Sequence, residues 1–278
     1  MRLSVSDKSY LVGMHINLTQ ATAMLCACLM VTACNRDEPG CTDPTALNYD
    51  ADATTDDGSC TYDTTGGSGE GGGIQTAECV DTVSMDGYDY VVVAIGSQCW
   101  FAENLRTTVF QDSTEIPLEL GASFPNLLEP ARAAYSNSSS YSDARGFLYN
   151  GYATVDEEHG GICPTGWHVP TELDWMLLEA YLVGEGHGDV MGDVLKSTSG
   201  WNANGNGSDL YGFNAKPAGI CWPDGNFYNV NNFGHFSSST WNNDYSAMQL
   251  RTMAYDNDQM ARQAYWPVSG HSIRCLQD

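Results

Sequence analysis

The sequence predicts an α+β domain with few regular elements and long loops. Three observations carry that expectation. Tyr88–Ile95 (YDYVVVAI) is a β-branched and aromatic run followed by a two-residue turn and a return segment. Thr171–Gly184 holds one capped stretch of helical periodicity. From Gly200 onward the chain is rich in Gly, Asn and Ser, interrupted by aromatic segments that read as short strands. A hairpin and helices that do not alternate strand by strand describe α+β rather than a parallel α/β sheet.

Taken in order, the chain opens on a candidate export signal over 1–33. Ala21–Ala33 is uncharged and mostly apolar. A helix of that length spans roughly 20 Å, too short for a bilayer core of about 30 Å but suited to a signal h-region. Val31-Thr32-Ala33-Cys34 has the form of a bacterial lipobox, with two small residues before the cysteine and a polar chain after it. Cys34 is therefore the expected lipid anchor of the mature protein, placing it in the bacterial cell envelope as an outer-membrane or cell-surface lipoprotein. Residues 34–63 form the anchored N-terminus and contain a small unit over 41–60, CTDPTALNYDADATTDDGSC. Residues 64–76 read as a linker, with TTGGSGEGGG at 64–73.

The main domain is expected over 77–278. Gly96-Ser97 turns the first hairpin, and Gln98–Phe101 returns as its second strand. Thr171 and Asp174 are spaced as a capping box at the start of a helix. Leu173, Met176, Leu177, Ala180 and Tyr181 recur along it at helical spacing, and Gly184 ends it. A second short helix is expected over Asp189–Ser197, with Val190, Met191, Val194 and Leu195 turned inward. His271–Leu276 reads as a buried final strand.

Composition narrows function. The chain has 35 acidic and 11 basic residues and a formal charge of −24. Such a surface repels phosphate backbones, so nucleic-acid binding is excluded, and the membrane enters only through the lipid anchor. Outside the signal and Cys34, cysteines remain at 41, 60, 79, 99, 163, 221 and 275, with no Cys-x-x-Cys pair. That usage suits an oxidising exterior and leaves one thiol over.

Motifs spread over 77–278 give a resemblance. They are Ile95-Gly-Ser-Gln-Cys-Trp-Phe-Ala-Glu-Asn-Leu-Arg106, Gly146-Phe-Leu-Tyr-Asn150, Cys163-Pro-Thr-Gly-Trp-His-Val-Pro-Thr171, Gly212-Phe213, Pro217-Ala-Gly219 and Asp224-Gly-Asn-Phe-Tyr228. Phe236-Ser-Ser-Ser-Thr240 and Ser272-Ile-Arg-Cys-Leu276 complete the set. In combination they resemble the Fibrobacter succinogenes major paralogous domain, a family of secreted and surface bacterial modules. The family often has Trp-Ser-Ser-Thr-Glu where this chain has Phe236–Thr240, with Trp241 at the usual acidic position. The 41–60 unit resembles a short repeat of bacterial surface proteins. The resemblance implies a loop-rich domain related in fold to C-type lectin-like domains and formylglycine-generating enzymes, with short antiparallel strands and one or two helices. Its cysteines fall at family frame positions, so they are expected to be structural. The expected disulfides are Cys41–Cys60 closing the small unit, Cys79–Cys99 clamping the hairpin and Cys163–Cys275 tying mid-domain to the final strand, with Cys221 free.

No HExxH, GxSxG or P-loop pattern occurs, and the redox cysteine pair of the formylglycine-generating enzymes has no counterpart, so the chain is not expected to be an enzyme. His168, in Gly-Trp-His-Val-Pro, reads as a structural imidazole. No cofactor is expected. Calcium is the metal considered: Asp50, Asp52, Asp56 and Asp57 are weak candidates in the small unit. Trp241-Asn-Asn-Asp244 has the look of a lectin calcium motif, but its Glu-Pro-Asn companion is missing. Trp222, Tyr228, Trp241, Tyr245, Tyr255, Tyr265 and Trp266 crowd the last third among small polar residues. Aromatic faces in such company recognise sugars or protein surfaces. Trp241, Trp222, Trp266 and Tyr245 are the candidate ligand-binding residues. The expected function is a surface-exposed, non-catalytic binding or adhesion module for a glycan or partner protein. The alternatives are an enzyme of the formylglycine-generating-like fold with an unrecognised site, and a structural envelope protein.

Overall fold

The computed structural model describes residues 39–44, 46, 48–49, 53–56, 59–61, 77–242 and 247–278. The expected signal, Cys34 and the linker lie outside the described residues. Two short strands, β1 (Pro39–Gly40) and β2 (Thr55–Asp56), pair in parallel, and Cys41–Cys60 bridges beside them.

The domain begins with three antiparallel strands, β3 (Thr82–Met85), β4 (Tyr88–Ile95) and β5 (Gln98–Phe101). The β4–β5 hairpin has the limits expected from sequence, with Gly96 at φ +60°. β3 was not expected. Asp86-Gly87, at φ +51° and +72°, makes a two-residue turn that folds it onto β4. β6 (Arg132–Ala133) and β7 (Leu148–Tyr149) pair around helix α1 (Ser139–Arg145), and α2 (Gly151–Thr154) follows. β8 (Trp167–His168) leads into α3 (Glu172–Gly184), where Thr171 and Asp174 form the expected capping box. α4 (Met191–Leu195) buries Val194 and Leu195, while Val190 and Met191 are partly buried. α-Helices number four among the described residues rather than one or two, because α1 and α2 are too short to leave a period in the sequence.

Beyond α4 come β9 (Ile220–Cys221) and β10 (Phe227–Tyr228), then an antiparallel meander of β11 (Phe233–Asn242), β12 (Ala247–Ala254) and β13 (Met260–Tyr265). The last third is thus more regular than the short strands expected there. The final segment, His271–Leu276, is buried throughout, but only Leu276 and Gln277 form a strand, β14. β14 inserts between β5 and β8, completing a five-stranded sheet in the order β3-β4-β5-β14-β8.

Strand period explains the two large cores. Successive side chains of a strand point to opposite faces. On β5, Trp100 packs with Trp175, Phe213 and Phe236, while Phe101 stacks on Tyr90 and packs against Trp167. Both faces of the sheet are therefore covered. α3 buries Trp175, Leu178 and Leu182, and Leu173 is 42 % exposed. The stripe read from sequence through Leu173, Met176, Leu177, Ala180 and Tyr181 is the flank of the packed face, not its centre.

Candidate functional site

Most of the motif residues are consumed by the frame. Arg274 is wholly buried. Its Nε donates to Asn104 Oδ1 at 2.8 Å, and its other nitrogens donate to the carbonyl oxygens of Phe101, Phe213 and Asn214. The guanidinium also lies over the rings of Phe213 and Phe236, 4.5 and 5.5 Å from their centroids. Burial lowers its pKa to about 9. One side chain thus ties together β5, the loop after α4, β11 and the C-terminal segment. The cysteines have the same role: Cys79–Cys99 and Cys163–Cys275 are bonded, and Cys221 is free and buried. Burial pushes the Cys221 thiol up to about 12, which holds it protonated and unreactive.

His168 is a clamp. Its Nδ1 lies 2.7 Å from Asp278 Oδ1 and its Nε2 lies 3.2 Å from Asp174 Oδ2. The hydrogen bond with Asp174, then the one with Asp278, raises its pKa. With a carboxylate on each ring nitrogen it favours the protonated imidazolium, which donates to both and holds β8, α3 and β14 together. It lines a cleft of about 420 Å³ with Asp156, Glu157, Thr171 and Ser239.

The second cleft, of about 430 Å³, is aromatic. Trp222, Ala247, Ala264, Tyr265 and Trp266 line it. Trp222 follows β9, Ala247 opens β12, and Tyr265 ends β13 with Trp266 next in the chain. The β-bridge between Cys221 and Gly270 brings the two segments side by side. Pro223 and Pro267 follow the two tryptophans and stop either segment from extending as strand. The Trp222 ring stands at 83° to Tyr265, with centroids 5.4 Å apart, and at 63° to Trp266, 6.1 Å apart. Trp266 is 56 % exposed and Trp222 half-buried.

Beneath Tyr265 lies a buried histidine pair. The rings of His235 and His271 are 6.0 Å apart, and Tyr265 is 5.6 and 5.4 Å from them. His235 Nδ1 is 3.0 Å from Thr252 Oγ1, while its Nε2 and both nitrogens of His271 lack a protein partner. Burial lowers His235 to about 4 and His271 well below its ordinary value.

A family model described as the Fibrobacter succinogenes major domain matches residues 93–277. The chain belongs to this family. No curated protein and no solved structure matches it. In this Fibrobacter succinogenes major domain, the sequence-predicted tryptophans Trp222 and Trp266 meet in one cleft although 44 positions separate them. Trp241 does not line it: it is half-buried on β11 opposite Met248. Tyr245 lies outside the described residues. Tyr265, named in sequence only among the general run of aromatics, is the residue the other two meet. His235 and His271 carried no spacing signal, since they meet through the fold and not along the chain. Asp56 is exposed on β2, and Asp50, Asp52 and Asp57 lie outside the described residues. Among the described residues no three His, Cys, Asp or Glu side chains converge as a metal-holding set, and no helix is long and apolar enough to cross a membrane.

Proposed function

We propose that this protein is a lipid-anchored surface module that binds without catalysing, and that its recognition site is the Trp222–Tyr265–Trp266 cleft. The observation that carries the reading is the exposure of Trp266 beside two further rings. A folded chain gains by burying a tryptophan, so one left open in a cleft with two other aromatics points to a surface that is covered by a ligand. The ligand is a glycan or a partner protein. The inert Cys221 thiol and the doubly engaged His168 favour binding over catalysis. The lipid enters through Cys34, and each buried CH₂ of an acyl chain contributes about 0.8 kcal/mol to membrane attachment.

Three measurements test the reading. A glycan array and a surface-protein pull-down with the full-length chain should give a ligand whose affinity falls by at least about 1 kcal/mol in Trp266→Ala, at an unchanged melting temperature. Binding that is indifferent to Trp222→Ala and Trp266→Ala would move the site elsewhere. Fractionation of cells expressing Cys34→Ser should show the protein released from the membrane, and equal membrane recovery of variant and wild type would refute the anchor.

A further inference from the structure

The walls of the aromatic cleft narrow what enters it. Their described side chains are three aromatic rings and two alanine methyls. No Lys, Arg, Asp, Glu, Asn or Gln is among them. The Tyr265 hydroxyl already donates to Gln263 Oε1 at 2.9 Å. A sugar needs a fan of hydrogen-bonding side chains around its hydroxyls as well as one flat face to stack on. Among the described walls hydrogen bonding is limited to the Tyr265 hydroxyl and the two indole N–H groups, and the Trp222 ring stands at 83° and 63° to the other two instead of sharing a platform with them. A primary ammonium would leave its three N–H donors unpaired against such walls, at a high desolvation cost.

Perpendicular rings suit a different shape. A compact cation seated in the corner between two of them lies within about 6 Å of both ring centroids and draws on both quadrupoles. A quaternary ammonium carries positive charge and has no N–H to satisfy. Its methyl groups match the apolar walls. The rest of the molecule favours the same sign: the chain carries −24, and Asp224 sits in the loop of Trp222 with no Lys or Arg in ion-pair distance among the described residues. Its carboxylate is held ionised by hydrogen bonds from the Tyr228 hydroxyl and the Asn226 backbone.

We propose that the Trp222–Tyr265–Trp266 cleft is an aromatic cage for a quaternary ammonium group, its occupant a small molecule of the choline class. The proposal rests on the cleft being the recognition site and replaces the glycan or partner protein with a quaternary ammonium as the group that fills it.

Calorimetric titration of the full-length chain tests it with four probes: choline, its neutral carbon isostere 3,3-dimethylbutanol, ethanolamine and a trimethyllysine peptide. Choline should bind, with the isostere and ethanolamine at least ~10-fold weaker. Trp266→Leu, which keeps apolar area and removes the ring, should lose choline by a similar factor while its melting temperature stays at the wild-type value. Isostere binding equal to choline overturns the cage, because the cleft would then be reading shape alone. Tighter binding of the trimethyllysine peptide than of choline overturns the small-molecule occupant. A blank choline titration alongside a Trp266-dependent glycan on the array retires the cage and leaves the cleft as recognition site. Ligands that all ignore Trp222→Ala and Trp266→Ala retire the recognition site itself.

Discussion

Arg274 carries a charge into a place where no carboxylate lies within ion-pair distance among the described residues, and three carbonyl oxygens with Asn104 Oδ1 take the place of a counter-ion. Removing the guanidinium would leave those acceptors buried and unpaired, at about 1–3 kcal/mol for such a group. Arg274→Met, which keeps the apolar stem, should therefore still unfold at a markedly lower temperature, and a melt within 2 °C of wild type, roughly the resolution of a 1 kcal/mol effect in a domain of this size, would disprove the hub. The histidines respond to pH. His235 and His271 stay neutral in the folded chain, His235 with a pKa near 4. Above pH 6.5 both states hold them neutral and they contribute nothing to the pH dependence. Between 6.5 and about 4 the unfolded chain takes up protons that the folded chain refuses, so stability falls with falling pH, by about 1.4 kcal/mol per unit for each group. His168 and His159 have raised values and act in the opposite sense, holding stability at low pH and losing it as pH rises through their folded values. Both are partly exposed, so solvent screening keeps their share small. Proton NMR should find His235 and His271 silent above about pH 5, and titration of either near 6.5 would contradict the burial of the pair. Because Tyr265 touches both rings, ligand binding in the cleft should weaken over the same acid range.

Elements were legible where a local signal dictated them. Gly96-Ser97 between two β-rich runs gave the β4–β5 hairpin because only a turn with positive φ closes it. Asp86-Gly87 is the same signal, and β3 was readable from it. The two glycines also separate conformation from packing. A Cβ on Gly87 meets nothing within 4 Å, so Gly87→Ala should cost only the left-handed backbone, about 1 kcal/mol. A Cβ on Gly96 meets the Tyr181 ring at 2.7 Å, so Gly96→Ala should add an overpacking cost of about 1–3 kcal/mol. Equal melting temperatures for the two variants would show that Tyr181 moves freely aside. The helix α3 was legible in its limits and its cap, less so in its face. Trp175 lies outside the stripe read from sequence, yet it meets Trp100, Phe213 and Phe236. Trp175→Ala should cost about 3–5 kcal/mol, and Leu173→Ser less than about 1. Periodicity ranks faces by apolar count, and α3 is apolar around most of its circumference, with Val183 exposed as well as Leu173. The long meander escaped for the same reason in reverse: β12 is buried on both faces, so Arg251 points at Glu172 and Glu179 of α3 and breaks any alternation of apolar and polar residues.

At the scale of the whole molecule, the cleft and the sheet depend on pairings that join distant parts of the chain, which no local pattern contains. Trp222 and Trp266 were legible as candidates by composition, but their meeting required the Cys221–Gly270 bridge, and Trp241 belonged to a different place. The disulfides report on the same long-range order. Cys163–Cys275 closes a separation of 112 residues and fastens the approach to β8 to the approach to β14, neighbours in the sheet. Cys79–Cys99 closes 20 residues and fastens the chain entering β3 to β5. Cys41–Cys60 closes 19 within the small N-terminal unit, whose described residues take no part in the buried core clusters. Loop entropy assigns nearly 5 kcal/mol to the first and about 3 to each of the others, as upper values. A domain of about 200 residues loses roughly 2–4 °C per kcal/mol. Replacing Cys163 and Cys275 together with alanine should therefore lower the melting temperature by about 10–20 °C, and replacing Cys79 and Cys99 by about 6–12 °C. Loop length alone would give the Cys41, Cys60 double variant the same loss as Cys79, Cys99. The packing says otherwise: with none of its described residues in the cores and Tyr49 touching α3 through Met176 Sδ at 4.0 Å, the small unit should come apart alone and leave the main transition in place. Calorimetry on the three double variants distinguishes these cases, and a main transition that falls with Cys41 and Cys60 would show that the N-terminal unit is part of the cooperative fold.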